Sequence, residues 1–502
     1  MTGCQPILYP IVLHDPPGGM LLLLRDSGIP VTDSQQIDRS LWPNYQIHIS
    51  ENLPSPLNNA CSAKCNILKW SELRDSSITD TLDLDSQANV TWQESDHWLS
   101  ETIVTDQVRN TVLHNLRRSL QARAIPWVQF AALPFNYKSV VNFRIDLDEP
   151  YPDDWQRVIK SLEPLEPAVT WFLSTKAGSQ CPVIFDWLKG CDLQSHGHWH
   201  HIHCKEPKLN RINLIKAHRV LLERSITASG FAPPRGRISK DLVETLRAMG
   251  YHYLAGIGPP EGFLPVRGED GLWRMHCQPV SEGLYLENDV NDEKVVIDGY
   301  LNAAERMIET QRPIFWYGHA ERRLGRKPDI LKELVNFALQ TPGLWQISQS
   351  GYLTWLEARS KIPVTVTGTA GMANCLEVHW DANSLNPAPV MELEWEQRSW
   401  QVPLSTNQNS YTIRLSRDGG TAVKPIRAIR LKPEEVINFE GFRCRLKNWL
   451  DWERETPASI LLQGSLHSQV KAVLRTWTDR SWHRTFQPKA WPYSDHQSED
   501  AA

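Results

Sequence analysis

Two short stretches hold the residue types that could together bind a divalent cation and hydrolyse a bond. The first is Phe143-Arg144-Ile145-Asp146-Leu147-Asp148-Glu149, and the second is Ser195-His196-Gly197-His198-Trp199-His200. Side chains alternate along a strand, so Phe143, Ile145 and Leu147 point into an apolar layer while Arg144, Asp146 and Asp148 share the other face. Three ionisable groups in a row are costly to bury unless they are paired, bind a metal or reach solvent, which argues against a plain core strand. His196 and His200 are four residues apart, a span over which a helical turn or tight loop lets two imidazoles meet one ion. Two histidines and one aspartate form a catalytic set that leaves coordination positions for water.

An Asp-x-Asp pair alone is more often a strand end or a solvated turn than a ligand set. Five histidines within residues 196–203, in a chain that has 17, are harder to explain in that way. Among them, His198 and His201 read as packing or supporting groups. His203 beside Cys204 has no second Cys or His at zinc-finger spacing, so it does not read as a separate metal pair.

The text around these stretches is alternating β and α from about Asn136 to 360, the pattern of a sheet or barrel with helices outside. Helices are expected at Asp153 to Leu162, Leu209 to Ile226 (apolar face Ile212, Ile215, Leu222, Ile226), Lys240 to Met249 and Pro328 to Leu339. Ala168 to Leu173 reads as a buried strand, and Pro313-Ile-Phe-Trp-Tyr-Gly-His319 as a late strand that delivers a histidine at its C-terminal end. Residues 1–135 read as an N-terminal α/β domain with no catalytic motif, in which Met20 to Leu24 is a buried strand and Ile103 to Leu120 a helix. Past Pro363 the pattern becomes strict alternation (Leu376, Val378, Trp380; Met391, Leu393, Trp395), so residues 363–480 read as β-sandwich-like. The polar tail 487–502 reads as disordered.

Composition narrows the partners. With 502 residues, 41% hydrophobic and 22% charged, the chain is that of a globular protein with room for a full catalytic core. A net charge of −5 without a basic block argues against nucleic acid. The 21 Trp against 12 Phe and 12 Tyr offer platforms for sugar rings, although Trp also fills cores. No run of eighteen apolar residues occurs, so no membrane span is expected, and the absence of a leader-like segment points to the cytoplasm. The nine Cys form no even framework, Cys61 and Cys65 being the one close pair, and read as reduced thiols.

Taken in order, the motifs resemble the polysaccharide deacetylases of the NodB-homology group, carbohydrate esterase family 4, in its Asp-x-Asp branch. The resemblance covers roughly residues 136–360 and rests on the Asp-x-Asp strand, the Ser-His-Gly-x-x-His segment, the Phe231-x-Pro-Pro-x-Gly236 loop and the strand ending at His319. It implies an α/β fold, a distorted and incomplete (β/α) barrel. It implies Asp146 as general base, Asp148, His196 and His200 as metal ligands, and His319 as general acid. The implied activity is metal-dependent hydrolysis of the acetamide of an N-acetylated sugar in a polysaccharide or glycan intermediate. Zn²⁺ suits two His and one carboxylate, with Co²⁺, Ni²⁺ or Mn²⁺ as other occupants.

The sequence departs from that pattern in the loop, where Ala232 stands at the place of the arginine that pairs with the base. Arg144, on the same strand face as Asp146, is one replacement; Arg235 and Arg237 are others, and Tyr317 is a further candidate contact for substrate. After Tyr251 to Gly258 the acidic residues usual in the family are missing. A glycan-binding protein with a degenerate site, or a hydrolase of another C–N or ester bond, stays open beside the deacetylase.

Overall fold

The computed structural model describes residues 7–16, 20–37, 45, 47–51, 66–73, 91–95, 98–102, 105–201, 207–236, 238, 240–258, 264–268, 271–278, 280–287, 290–368, 375–380, 385–395, 398–404, 410–414, 421–422, 458–466, 468–470 and 472–473. The expectations for the tail 487–502, for Cys61, Cys65, His203 and Cys204, and for Arg237 fall outside these residues.

The central element is β1 (Ser139–Leu147), every residue of which is buried. A strand covered on both faces is the middle of a sheet with layers on either side. Its odd-numbered residues Val141, Phe143, Ile145 and Leu147 join the core formed with the outer helices, among them Trp155, Val158 and Leu334. Its even-numbered side chains face inward, where Val140 joins Phe172, Tyr253, Trp273, Phe315 and Tyr352 in a second core. Burying an aromatic or aliphatic side chain of this kind stabilises the fold by about 1.5–3 kcal/mol.

Around β1 lie β2 (Val169–Leu173), β3 (Asp192–Ser195), β4 (Gly230–Phe231), β5 (Tyr253–Leu254), β6 (Val266–Arg267), β7 (Trp273–Arg274), β8 (Ile314–His319) and β9 (Leu344–Gln346). Their order is β6-β7-β5-β4-β3-β2-β1-β8, with β9 pairing the start of β1. All pairs are parallel except β6 with β7. The sheet curls until its two ends meet at one side chain. Gln278, after β7, donates its backbone N–H to Phe315 O at 3.3 Å. Phe315 N–H donates to Gln278 Oε1 at 2.8 Å and Gln278 Nε2 donates to Pro313 O at 3.0 Å, so an amide side chain extends a single backbone bond between the strands.

The helices that return the chain are α1 (Pro152–Leu162), α2 (Thr175–Gln180), α3 (Pro207–Leu222), α4 (Lys240–Ala248), α5 (Glu282–Glu287), α6 (Glu293–Glu309), α7 (Pro328–Gln340) and α8 (Gln349–Arg359). Pro opens α1 and α7, where its missing N–H costs nothing, and Asp153 and Asp154 complement the N-terminal end of α1. Ser348 caps α8 by accepting from Gly351 N–H.

Two sequence expectations are corrected. Met20 to Leu24 is helical, within Met20–Asp26, because four consecutive leucines favour a helix and Met20 and Leu24, one turn apart, are buried in the core. The buried face of α3 is Leu209, Asn210, Asn213, Leu214, Ala217 and Leu221, whereas Ile215 and Leu222 are exposed. Asn210 and Asn213 make the buried face look polar in sequence, which favours the isoleucine side.

The two flanking regions share strands. One antiparallel sheet joins Ile7–Tyr9 to Val364–Gly368, Cys375–Trp380 and Ser410–Arg414; another joins Trp127–Phe130 to Val390–Trp395, Arg398–Pro403 and Thr421–Ala422. A parallel sheet, Val31–Asp33, Ile11–Leu13, Ile47–Ile49 and Asn66–Leu68, packs into the same core. No helix among the described residues is long and apolar enough to cross a membrane.

Candidate metal centre and catalytic site

The C-terminal ends of β1, β3 and β8 converge, and each supplies a polar side chain. Asp146 lies on β1 opposite Phe172 of β2 and His319 of β8 in the strand register, Asp148 follows β1, and His196 follows β3. The fold thus brings together Asp146, Asp148, His196, His200 and His319 from three separate segments.

One ligand atom each from Asp148, His196 and His200 lies within 4.8 Å of the others. Asp148 Oδ1 is 3.2 Å from His196 Nε2, and Asp148 Oδ2 is 3.3 Å from His200 Nε2. His196 Nδ1 lies 2.7 Å from Ala232 O. A carbonyl only accepts, so Nδ1 carries a proton, and in the neutral ring Nε2 presents a bare lone pair toward the carboxylate. Asp148 Oδ1 and His196 Nε2 are both buried without a hydrogen-bond partner. The two facing atoms are satisfied by a cation shared between them, a proton on Nε2 or a metal ion, and the donor set fits a divalent ion with open positions. Burial alone would raise the Asp148 carboxyl, yet the positive charge that His200, His196 and His319 can carry outweighs it and holds the group well below its ordinary value.

Asp146 is held by Arg144. Arg144 Nε donates to Oδ1 at 2.8 Å and Nη2 to Oδ2 at 2.6 Å, while Nη1 donates to Ala255 O at 2.6 Å. The guanidinium lies between the rings of Tyr317 and Phe172, at 4.7 Å and 5.2 Å. Despite burial, the charge of Asp146 raises the Arg144 pKa, so the guanidinium stays charged. Asp146 Oδ2 reaches to 3.5 Å from His196 Nε2, beside the metal set.

His319 lies on the other flank, its Nε2 3.9 Å from Asp148 Oδ2 and 2.9 Å from the Tyr317 hydroxyl. Its Nδ1 is 2.6 Å from Glu282 Oε1, the carboxylate oxygen that also accepts from the His319 backbone N–H at 3.0 Å. Glu282, the first residue of α5, is fully buried. Burial pushes its carboxyl up, but His319 and Arg323 together pull it below the ordinary value. Arg323 Nη1 stands 3.4 Å from the same oxygen and 2.7 Å from His319 Nδ1.

No protein-family model matches the sequence, and no curated protein matches it. Among solved structures, the chain is similar to a Mycobacterium smegmatis protein assigned as a polysaccharide deacetylase, at 13% identity and a TM-score of 0.42, over 49% of this chain and 98% of that one. It is similar to Puue allantoinase at 13% identity and a TM-score of 0.39, over 44% and 91% of the two chains. A third likeness is to peptidoglycan deacetylase PdaC from Bacillus subtilis, at 16% identity and a TM-score of 0.30, over 44% and 92%. Likenesses this distant assign no activity, and the reading of the site rests on its own residues.

Of the candidates named from sequence, Arg144 and Tyr317 line the site, Arg235 has only its backbone described, and Arg237 is not described. Three residues escaped the sequence reading. Glu282 is remote in sequence from the segment searched for an acid, Glu321 accepts from the Asp148 N–H at 3.0 Å, and Asn213 sits in a helix read as amphipathic. A lone Glu ahead of a short helix carries no local signal; the buried Asn at α3 could have been flagged as a break in the apolar period.

Proposed function

We propose that this chain is a metal-dependent deacetylase that hydrolyses the acetamide of an N-acetylated sugar. The observation that carries this reading is the set Asp148, His196 and His200 flanked on one side by a carboxylate and on the other by a histidine, each with its own buried counter-charge. A divalent cation held by those three residues supplies Lewis acidity toward a water and a carbonyl. Zn²⁺ is the occupant we propose.

Asp146 takes the proton from the attacking water. The Arg144 fork fixes both of its oxygens, so the carboxylate presents one orientation and needs no rearrangement as it reacts. His319, protonated, hands a proton from Nε2 to the departing amine nitrogen, without which the C–N bond does not break readily. Glu282 fixes the ring by binding Nδ1. Acetate and a free amino sugar result.

Acetate release from N-acetylated oligosaccharides tests the reading, with Asp146→Asn as the discriminating variant. Its activity should fall by about 10²–10⁴ while metal uptake is retained. Activity equal to wild type would contradict the base assignment.

A further inference from the structure

The turn that carries His200 is held by a side chain outside the ligand set. Asn213 on α3 is fully buried, and its amide makes four hydrogen bonds to that turn. Oδ1 accepts from the N–H groups of His198 and Trp199 at 2.8 and 2.9 Å, and Nδ2 donates to the carbonyls of Trp199 and His201 at 3.1 and 2.9 Å. Both donors and both lone pairs of the amide are used, and the bonded peptide groups bracket His200.

The near side of the turn is anchored differently. Thr175 N–H donates to Gly197 O at 2.9 Å and Lys176 N–H to His198 O at 3.1 Å, so the start of α2 holds residues 197–198. His196 is fixed by its position after β3 and by Ala232 O. Gly197, at φ +82°, has no room for more: a Cβ there would sit 3.2 Å from Trp199 O and 3.3 Å from Asn213 Nδ2. The Asn213 amide also takes the His198 N–H, and beyond it acts on residues 199–201.

We propose that Asn213 is a positioning residue that sets the affinity of the metal centre by holding His200 against Asp148. The inference rests on the reading of Asp148, His196 and His200 as metal ligands. An apolar side chain at 213 would remove the acceptor of the His198 and Trp199 N–H groups and one donor each from the Trp199 and His201 carbonyls, leaving Trp199 O with the His201 N–H. The turn would relax to recover the lost bonds, taking His200 Nε2 away from Asp148 Oδ2. The effect runs through His200 and not through His196.

The test is Zn²⁺ affinity on metal-stripped full-length protein, by competition with a chromophoric chelator, for wild type, Asn213→Leu, His200→Ala and the double variant. We expect Asn213→Leu to weaken binding about 10–100-fold, and the double variant to bind no more weakly than His200→Ala alone. Affinity within about twofold of wild type, or losses that multiply in the double variant, would overturn the proposal and leave Asn213 a fold-supporting residue. If Asn213→Leu does not fold, Asn213→Asp keeps the acceptor for the two N–H groups, removes only the donors, and is judged by the same two criteria. Wild-type protein that takes up no Zn²⁺ would overturn the metal reading itself, an outcome distinct from a normal wild type with an unaffected variant.

Discussion

Arg144 and Asp146 are two residues apart on one strand and form a two-point ion pair along its inner face, at 2.8 and 2.6 Å, with both side chains no more than 2% exposed. The cation that orients the Asp146 carboxylate therefore comes from the carboxylate's own strand. The loop residue Ala232 contributes a backbone carbonyl to His196 instead. A same-strand pair is fixed by the pleat of β1, and its geometry is set before any loop closes.

Arg144→Met should lower folding stability by about 3–5 kcal/mol, because it leaves a buried carboxylate without a partner. Arg144→Lys keeps the charge but loses the fork, and kcat should fall at least about tenfold with metal uptake retained. Denaturant titration and steady-state kinetics check the two.

Glu282→Gln should lower kcat by about 10²–10⁴ with little change in KM, since the neutral amide does not fix the His319 ring through Nδ1 as firmly as the carboxylate does. Kinetics beside a metal-content assay decide it: equal kcat would make Glu282 a packing residue.

His14 and His48 form a buried chain away from the site. His48 Nε2 donates to Tyr45 O at 2.9 Å, so its Nδ1 is bare and accepts from His14 Nε2–H at 3.0 Å. Burial first, then the neighbouring His48, lower the His14 pKa from 6.5 to about 4. The unfolded chain then binds a proton near 6.5 that the folded chain refuses until about 4, so this stabilisation is complete above pH 6.5 and is lost as pH falls through that window. His14→Gln, which can still donate to His48, should flatten the pH dependence of the urea midpoint there; an unchanged slope would contradict the assignment.

Gly230→Ala should destabilise the barrel by about 1–3 kcal/mol or more. The Tyr253 ring lies directly over the Gly230 Cα, and a Cβ would overlap its Cζ and hydroxyl. Thermal unfolding would show it, and Tyr253→Phe should not rescue the variant because the ring carbon clashes as well.

What the sequence made legible followed from spacing and alternation. Asp146 and Asp148 share a face by the two-residue period of a strand, and His196 and His200 meet by their four-residue spacing. The inward and outward faces of β1 separated as alternation demands. What was not legible depends on contacts between remote segments. Glu282 reaches His319 across 37 positions and Asn213 grips a turn 12 to 15 positions before it, and neither leaves a local pattern. The misread face of α3 has the same origin, since a helix that buries amides to hold a loop does not mark its buried face with apolar residues alone. Three-residue strands such as Ile7–Tyr9 are too short for periodicity to place them in a sheet with residues beyond 363.

The most direct measurement is acetate release from a panel of N-acetylated and O-acetylated oligosaccharides by protein stripped of metal and then refilled with Zn²⁺, beside His196→Ala. Release from an N-acetylated member that requires added metal and disappears in the variant is the predicted result. No release from any member by protein that binds Zn²⁺ tightly would contradict the deacetylase reading.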